Sequence, residues 1–306
     1  MDSGTQVISG TACRICGAAA VSIGKKFGRY RGKYYDIRRC DACRFTFVEN
    51  PDRDYAALYD EKYYSGRGAD PMVTYVREFD HPGDTIRIYE WAGILEVVRS
   101  LKLLSSGGRW LDFGCGNGGL VRYLLQHGIR EAIGFEEGWI RRLVEQSSTP
   151  LLSRHELEHM TAEFDVVTAI EVLEHVEKPL EVLATIRRLL KPGGLFFFTT
   201  GNAAPYRADL LRWPYLIPEI HISLFEPEAV ARALAMTGFR PEFLHFPPGF
   251  SQIIRFKVLK NLGVRRRNCL ERVMPWALIS RLVDRRFQIT AHPVGWAVCE
   301  TVRNST

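Results

Sequence analysis

The sequence lacks the long features that would place it across a membrane or in a repeat array. Among its 306 residues no uninterrupted apolar stretch approaches the roughly 20 residues needed to cross a bilayer, and no basic start runs into an apolar segment. A secreted or membrane-spanning protein is therefore not expected, and a cytoplasmic one is. Internal repeats and low-complexity tracts are also missing, which excludes solenoids and composition-biased linkers. Net charge is in short supply: the formal +6 is modest for this length. Much of the excess is local, near Arg265, Arg266, Arg267, Arg281, Arg285 and Arg286. What remains is a chain of ordinary composition, long enough for one substantial core and a smaller module, since domains commonly hold about 100–200 residues.

Cysteine is scarce too, but unevenly placed. Of seven cysteines, four form two close pairs, Cys13/Cys16 and Cys40/Cys43, while Cys115, Cys269 and Cys299 are scattered. In a chain with no export signal, paired cysteines favour a metal over disulfides. Each Cys-x-x-Cys knuckle can turn two thiolates toward one tetrahedral ion, and sulfur ligation suits zinc. Four thiolates fill the coordination sphere and leave no position for water, so the zinc is expected to be structural, standing in for a missing core. Lys25, Lys26, Arg29, Arg31, Lys33, Arg38 and Arg39, with Phe27, Tyr30, Tyr34 and Tyr35, would suit phosphate contacts and base stacking. A solvated basic hairpin near a substrate phosphate is the preferred alternative.

Three zones follow along the chain: a zinc-ribbon-like module over 1–51, a tyrosine-rich linker or lid over 52–84, and an α/β domain over 85–306. In the linker, Tyr59, Tyr63 and Tyr64 could cover a ligand and exclude water, or pack between the modules. From Thr85 the pattern alternates helices with short apolar strands. Helical spacing of Ile88, Ala92, Leu95 and Val98 ends at Gly107-Gly108 before the strand Trp110 to Phe113. Helices are expected at Leu120 to His127, Trp139 to Glu145 and Leu180 to Leu190, the last closed by Lys191-Pro192-Gly193-Gly194. Strands are expected at Ala132 to Phe135, Phe164 to Ile170, Leu195 to Thr199, Arg240 to Phe246 and Trp296 to Val302. This rhythm argues for a parallel sheet covered on both faces. A helical insertion is expected at about 253–287, where apolar and basic residues interleave; it could cover the acceptor site, dimerise or rest on an anionic membrane surface, and tertiary packing is the commonest fate of such a stripe.

The chemistry concentrates at Trp110-Leu111-Asp112-Phe113-Gly114-Cys115-Gly116-Asn117-Gly118-Gly119. A strand entering a glycine-rich turn and then a helix lets backbone N–H groups approach a ligand closely, because glycine leaves no side chain in the way. Glu136 ends the following strand, where a carboxylate can accept both hydroxyl hydrogens of a ribose. A dinucleotide fingerprint needs a third glycine at a spacing this sequence lacks, which sets an NAD-dependent enzyme aside. Here Asp112 precedes the first glycine, and the segment resembles the first motif of class I S-adenosylmethionine-dependent methyltransferases. Phe164-Asp165-Val166-Val167 and Leu189-Leu190-Lys191-Pro192-Gly193-Gly194 resemble the fourth-strand and fifth-strand landmarks of that family. The resemblance covers roughly Glu90 to Phe246 and is closest to bacterial members with an amino-terminal four-cysteine module.

That resemblance implies a Rossmann-like fold with a seven-stranded mixed sheet and S-adenosylmethionine as cofactor. Asp112, Gly114, Cys115, Gly116, Asn117, Gly118, Glu136 and Glu171 become the candidate cofactor residues, with Glu136 on the ribose. The adenine contact stays open between Glu156 and Glu158. Because the sulfonium methyl is already activated, such an enzyme mainly aligns nucleophile, carbon and sulfur and removes a proton. His221 is the preferred base, with His175 and Glu219 as further catalytic candidates; Glu174 and His175 could instead brace the segment they begin. Tyr215, Glu219 and His221 loosely resemble a Tyr, Glu and His cluster of zinc-module sugar C-methyltransferases, although the spacing differs. The favoured acceptor is a small molecule such as a sugar, glycoconjugate or natural-product intermediate. RNA or protein methylation through the basic module ranks second, and a non-catalytic cofactor-binding module third.

Overall fold

In the computed structural model, residues 11–101, 108–244, 251–279 and 294–298 are described. The chain opens with a small antiparallel sheet: β1 (Thr11–Ala12), β2 (Ala19–Gly28), β3 (Lys33–Cys40) and β4 (Thr46–Val48). Short helices α1 (Tyr55–Leu58), α2 (Glu61–Tyr64) and α3 (Tyr75–Asp80) follow, the first two capped by Asp54 and Asp60, whose carboxylates accept from Ala57 and Tyr63 N–H. The long α4 (Arg87–Leu101) then leads into β5 (Arg109–Phe113), α5 (Gly119–Gln126), β6 (Glu131–Phe135), α6 (Arg141–Glu145), α7 (Arg154–His159), β7 (Phe164–Ile170), α8 (Pro179–Leu189) and β8 (Leu190–Thr199). The remaining elements are β9 (Ser223–Leu224), α9 (Pro227–Met236), β10 (Arg240–Leu244), α10 (Ser251–Asn261), α11 (Cys269–Val273) and β11 (Val294–Val298). No helix among the described residues is long and apolar enough to cross a membrane.

The larger sheet has the order β10-β11-β8-β7-β5-β6, with β8, β7, β5 and β6 parallel and β11 and β10 antiparallel. A seventh position exists as a single parallel bridge from Gly134 to Leu151 outside β6. The mixed sheet expected from the sequence is thus present, with one strand reduced to a bridge. Strand alternation divides the core. Phe196 and Phe198 of β8 face Leu183 and Ile186 of α8 and Val230 and Ala233 of α9, while Leu195 and Phe197 face Val98 of α4 and Leu120 and Leu124 of α5. Burial on both faces explains why β7 and β8 read as nearly unbroken apolar runs.

Two expectations shift. Lys191-Pro192-Gly193-Gly194 does not end a helix and precede a strand; β8 already begins at Leu190, and the pairing jumps from Phe164↔Leu190 to Val166↔Leu195. The proline and glycines bulge out of the strand, as sheet-interior Pro and Gly do. The terminal strand begins two residues earlier than expected, at Val294, because its register against β8 pairs Val294 with Thr199; residues 299–302 lie outside the described residues. The four-cysteine module has no separate core. Cys13, Ile15, Phe45 and Phe47 belong to the same buried cluster as Phe225 and Val230, the Phe45 and Phe225 rings are 5.1 Å apart, and β9 pairs with β4 to complete the small sheet.

Within the expected helical insertion, α10 packs on α4. A side chain at Gly93 would place its Cβ 2.1 Å from Ile253, and Phe256 and Leu259 bury against Ile86 and Tyr89. Tertiary packing is the fate of this part of the stripe; residues 280–287 lie outside the described residues.

Candidate active site

A cavity of about 1660 Å³ opens beyond the carboxyl ends of β5, β6 and β7, where open α/β sheets bind ligands. Gly114, Gly116, Glu136, Glu171, His175 and His221 all line it. The loop between β5 and α5 runs through left-handed backbone at Gly114, Gly116 and Gly118, with φ of 75°, 53° and 70°. Space is as restrictive as conformation there: a Cβ on Gly114 would lie 2.7 Å from Val172 Cγ2, and one on Gly116 2.6 Å from the Tyr75 ring. Gly114 and Cys115 donate their N–H groups to Phe135 O at 2.8 and 3.0 Å, fastening the loop to the end of β6.

Glu136 is the next fixed point. Its Oε2 accepts from Gly116 N–H at 2.9 Å, and its Oε1 from Gly138 and Glu137 N–H at 2.7 and 2.9 Å and from the Tyr64 hydroxyl at 3.4 Å. Burial raises its pKa, and the backbone bonds act the other way by favouring the carboxylate. A carboxylate has about four lone-pair sites, so Oε2, with one donor here, retains capacity for a ribose hydroxyl. The glycine cradle and this carboxylate fit a nucleoside cofactor.

Other residues of the motif support the loop from beneath. Asp112 does not line the large cavity; it faces a smaller one with Gly114, Cys115, Asn117, Arg87 and Glu90. Its Oδ1 accepts from the Thr168 hydroxyl at 2.8 Å, and burial pushes its pKa up to about 7, helped by the charges of Glu136 and Glu90. Asn117 accepts Gly119 N–H at 2.9 Å and donates to Tyr75 O at 3.2 Å. Cys115 is buried, and a Cβ on Gly134 would lie 2.6 Å from its sulfur. Glu156, one of the two adenine candidates, closes a capping box with Ser153 at the start of α7; Glu158 lies 3.6 Å from Arg154.

The opposite wall is built from β7 and the segment after β8. Glu171 directly follows β7 at φ 57°, a left-handed conformation that costs a non-glycine residue about 1–3 kcal/mol. Lys260 lies 3.7 Å and Lys257 4.0 Å from its carboxylate, and the Tyr215 hydroxyl 3.3 Å. Three residues on, Glu174 is buried and accepts from the hydroxyls of Tyr215 and of Thr200, the latter at 2.8 Å. His175 Nδ1 lies 3.1 Å from Ile220 O and 3.0 Å from the Tyr59 hydroxyl, and His221 Nδ1 lies 2.5 Å from Tyr215 O. Carbonyls only accept, so these bonds put the ring proton on Nδ1 and the lone pair on Nε2. The two imidazole rings are 4.9 Å apart, and the Tyr215 ring stacks on His221 at 4.1 Å. Burial favours the uncharged form of both imidazoles: His175 is pushed down to about 4, and His221 is lowered from its ordinary value by burial and by the neighbouring His175.

Glu219 goes elsewhere. Its Oε1 accepts from Tyr30 and Arg31 N–H at 2.9 and 3.3 Å, and a Cβ on Gly28 would lie 2.5 Å from that oxygen, so the side chain clamps the tip of the β2–β3 hairpin. It does not join the residues around the cavity. Tyr59, Tyr63 and Tyr64 line it, Tyr63 and Tyr64 pack in a buried cluster with Ile140, Val144 and Ile220, and Tyr64 leaves Gly138 no room for a side chain.

Sequence spacing misses Arg87. It sits at the start of α4, lines the cavity beside Gly114 and Gly116, and pairs through Nε with Glu78 at 3.0 Å and through Nη1 with Glu90 at 2.8 Å. Its guanidinium carbon lies 4.9 Å from the Tyr75 ring centroid. The only signal in the sequence is a basic residue in the first turn of a helix, where the macrodipole favours acids.

The four paired cysteines converge. Cys13 and Cys43 sulfurs lie 3.5 Å apart and those of Cys16 and Cys40 3.4 Å, and all four lie within 4.8 Å of one another. Zinc–sulfur bonds of about 2.3 Å in a tetrahedron imply sulfur separations of roughly 3.8 Å, so the donor set fits zinc. Both knuckles close the same way, with a left-handed residue directly after the second cysteine: Gly17 at φ 73° and Arg44 at φ 64°.

Comparison with known proteins agrees with this geometry. The family described as "Methyltransferase domain" matches residues 85–242. The ubiquinone biosynthesis O-methyltransferase of Dechloromonas aromatica (strain RCB) is 30% identical over 156 residues, 45% of this chain and 67% of that protein. The protein of the same name from Pseudomonas aeruginosa (strain LESB58) is 36% identical over 110 residues, 33% of this chain and 47% of its own length. This chain therefore spans two thirds of the first relative and about half of the second. Among solved structures, phosphoethanolamine N-methyltransferase 2 of Haemonchus contortus, in complex with S-adenosyl-L-methionine, aligns with a TM-score of 0.48 at 16% identity, over 84% of this chain and 62% of that one. With the glycine cradle, Glu136 and the family match over half its length, the chain belongs to the methyltransferase domain family and is a class I S-adenosylmethionine-dependent methyltransferase.

Proposed function

We propose that the chain methylates a hydroxyl oxygen of a small-molecule acceptor, and that the acceptor enters along the wall formed by His175, His221 and Tyr215. The observation that carries this reading is the pair of imidazoles, each bonded through Nδ1 to a backbone carbonyl and so presenting Nε2 as an acceptor, in the same cleft as the glycine loop and Glu136. The bound cofactor supplies an electrophilic methyl on sulfur. Glu136 would hold the ribose hydroxyls, the loop amides would receive the nucleoside, and Arg87, which lines the cleft with two of its nitrogens already engaged, would offer its remaining donors to the methionine carboxylate. Tyr59, Tyr63 and Tyr64 cover the cleft and exclude water. His221 or His175 would take up the proton that the acceptor hydroxyl gives up as it accepts the methyl group.

Oxygen is favoured over nitrogen or carbon because the curated relatives reported above are named as O-methyltransferases. A small acceptor is favoured over RNA because six of the seven basic residues of the hairpin, all but Arg29, have partners within the chain. Lys25 faces Asp36, Lys33 and Arg31 face Asp52, Arg38 faces Glu49, Arg39 faces Glu226, and Lys26 donates to Leu211 O. The four cysteines hold one structural zinc, and the module joins the catalytic domain through the pairing of β4 with β9.

Incubation of the full chain with isotopically labelled cofactor and a metabolite extract tests this reading. Label recovered in ether-linked methyl groups of small molecules supports it. Label found only in RNA, in protein, or on nitrogen or carbon contradicts it.

A further inference from the structure

We infer that the outer face of residues 262–278 is a docking surface for an anionic lipid bilayer, and that it holds the chain with the mouth of the catalytic cavity at the lipid interface. The segment lies beyond residues 85–242, where the family match ends. It follows α10 and includes α11.

The segment has an inner and an outer side. Val264, Met274 and Trp276 pack inward against the cluster of Ile86, Tyr89, Phe256 and Leu259, and the Trp276 indole N–H donates to Glu271 O at 2.7 Å. The side chains between them are turned to solvent: Leu262, Val273 and Leu278 are 59%, 74% and 55% exposed. Arg265, Arg266 and Arg272 are exposed with them. Single exposed aliphatic residues are ordinary, but several in one short segment rimmed by charge mark an interaction surface. That surface adjoins the cleft. Met72, Lys260 and Asn261 line the cavity, Leu262 is the next residue, and Arg265 donates to Pro71 O at 2.9 Å and reaches the Met72 sulfur. Met72 is itself 42% exposed, so apolar surface runs from the segment to the rim of the cavity.

Charge identifies the partner. Residues 251–279 hold seven basic residues and one acidic residue, Glu271. Lys257 and Lys260 turn to Glu171, Arg255 lies over the Tyr89 and Trp276 rings, and Arg267 pairs with the buried Glu271 at 3.0 Å. Arg266 and Arg272 have no ion-pair partner among the described residues. Aliphatic side chains beside unpaired guanidiniums suit a bilayer, where the former enter the headgroup boundary and the latter meet lipid phosphates. RNA would be met by exposed rings for base stacking, and the exposed apolar side chains here are aliphatic. A second copy of the chain would bring like charges together. The inference goes beyond the O-methylation reading and does not depend on it.

Vesicle binding can be measured without turnover. The full chain, with its cysteine site filled by zinc, is sedimented with vesicles of equal parts phosphatidylcholine and phosphatidylglycerol, and separately with phosphatidylcholine vesicles. Affinity for the anionic vesicles should be at least ~10-fold higher and should fall as salt is added. Arg266→Gln combined with Arg272→Gln should lower it at least ~10-fold, since each guanidinium near such a surface is worth about fivefold. Leu262→Asp combined with Val273→Asp should lower it as much, by removing apolar burial and adding charge of the lipids' own sign. Binding of S-adenosylhomocysteine verifies that both variants are folded. Arg29→Gln, at the exposed tip of the β2–β3 hairpin, should leave vesicle binding unchanged. No sedimentation of the wild-type chain with anionic vesicles, equal affinity for both kinds of vesicle, or binding unaltered in both folded variants would overturn the inference. Tighter binding to a single-stranded RNA than to the anionic vesicles would overturn it as well.

Discussion

Gly116 N–H donates to Glu136 Oε2 at 2.9 Å, so the glycine loop after one strand and the carboxylate at the end of its neighbour form one unit before any ligand arrives. Removing the carboxylate should therefore damage the site twice, by losing the ribose contact and by releasing the loop. Hydrogen bonds to a charged group contribute about 1.5–3 kcal/mol, so Glu136→Ala should weaken binding of the cofactor product at least ~10-fold by calorimetry. Glu136→Gln should fall between the two.

Gly116→Ala should be nearly as harmful although it deletes nothing. The added methyl meets the Tyr75 ring at 2.6 Å from a left-handed backbone, and the strained conformation alone costs about 1–2 kcal/mol. Cofactor affinity should fall about tenfold while the circular dichroism of the fold persists. Unchanged affinity would mean that the loop relaxes freely.

These features were legible in the sequence because they are local. Glycines at fixed offsets from a strand, an acidic residue at the next strand end and two Cys-x-x-Cys knuckles each declare their geometry within a few residues. What was not legible depends on tertiary placement. Glu219 stands two residues from His221, yet an intervening turn sends its carboxylate to the hairpin tip at Tyr30 and Arg31. Arg87 reaches the cleft only because α4 begins beneath the loop, and Glu174 meets His221 only because the segment after β8 returns to β7, where Ile222 N–H bonds Glu174 O.

Glu219 and His221 consequently part company in kinetics. His221→Ala should lower kcat by ~10²–10⁴-fold, the usual worth of a group that acts on the acceptor proton, with cofactor affinity little changed. Glu219→Gln should leave kcat within a few-fold and lower the unfolding temperature instead. A catalytic defect as large as that of His221→Ala would restore Glu219 to the reaction.

Asp112 gives a signed pH test on the ligand-free protein. An unfolded aspartate titrates near ~3.9, whereas burial holds the folded group at about 7. Its contribution to stability is fully present below the unfolded pKa and is lost as pH rises through the folded one. Between about pH 4 and 7 the stability of the wild type relative to Asp112→Asn should fall by ~1.4 kcal/mol per pH unit. A flat difference in chemical denaturation across that range would show that the carboxyl is ionised in the fold.

Zinc removal should be felt beyond the module, because Phe45 and Phe47 share a core with Phe225 and Val230. Cys40→Ser should abolish the bound zinc by elemental analysis and lower the melting temperature of the whole chain in a single transition. Two separate transitions would show that the module unfolds independently.

The most direct measurement is calorimetric titration of the full chain with S-adenosylmethionine and with S-adenosylhomocysteine. One site per chain is expected for each, weakened at least ~10-fold by Glu136→Ala. A folded wild-type chain that binds neither would contradict the assignment of the glycine loop and Glu136 as a methyl-donor site.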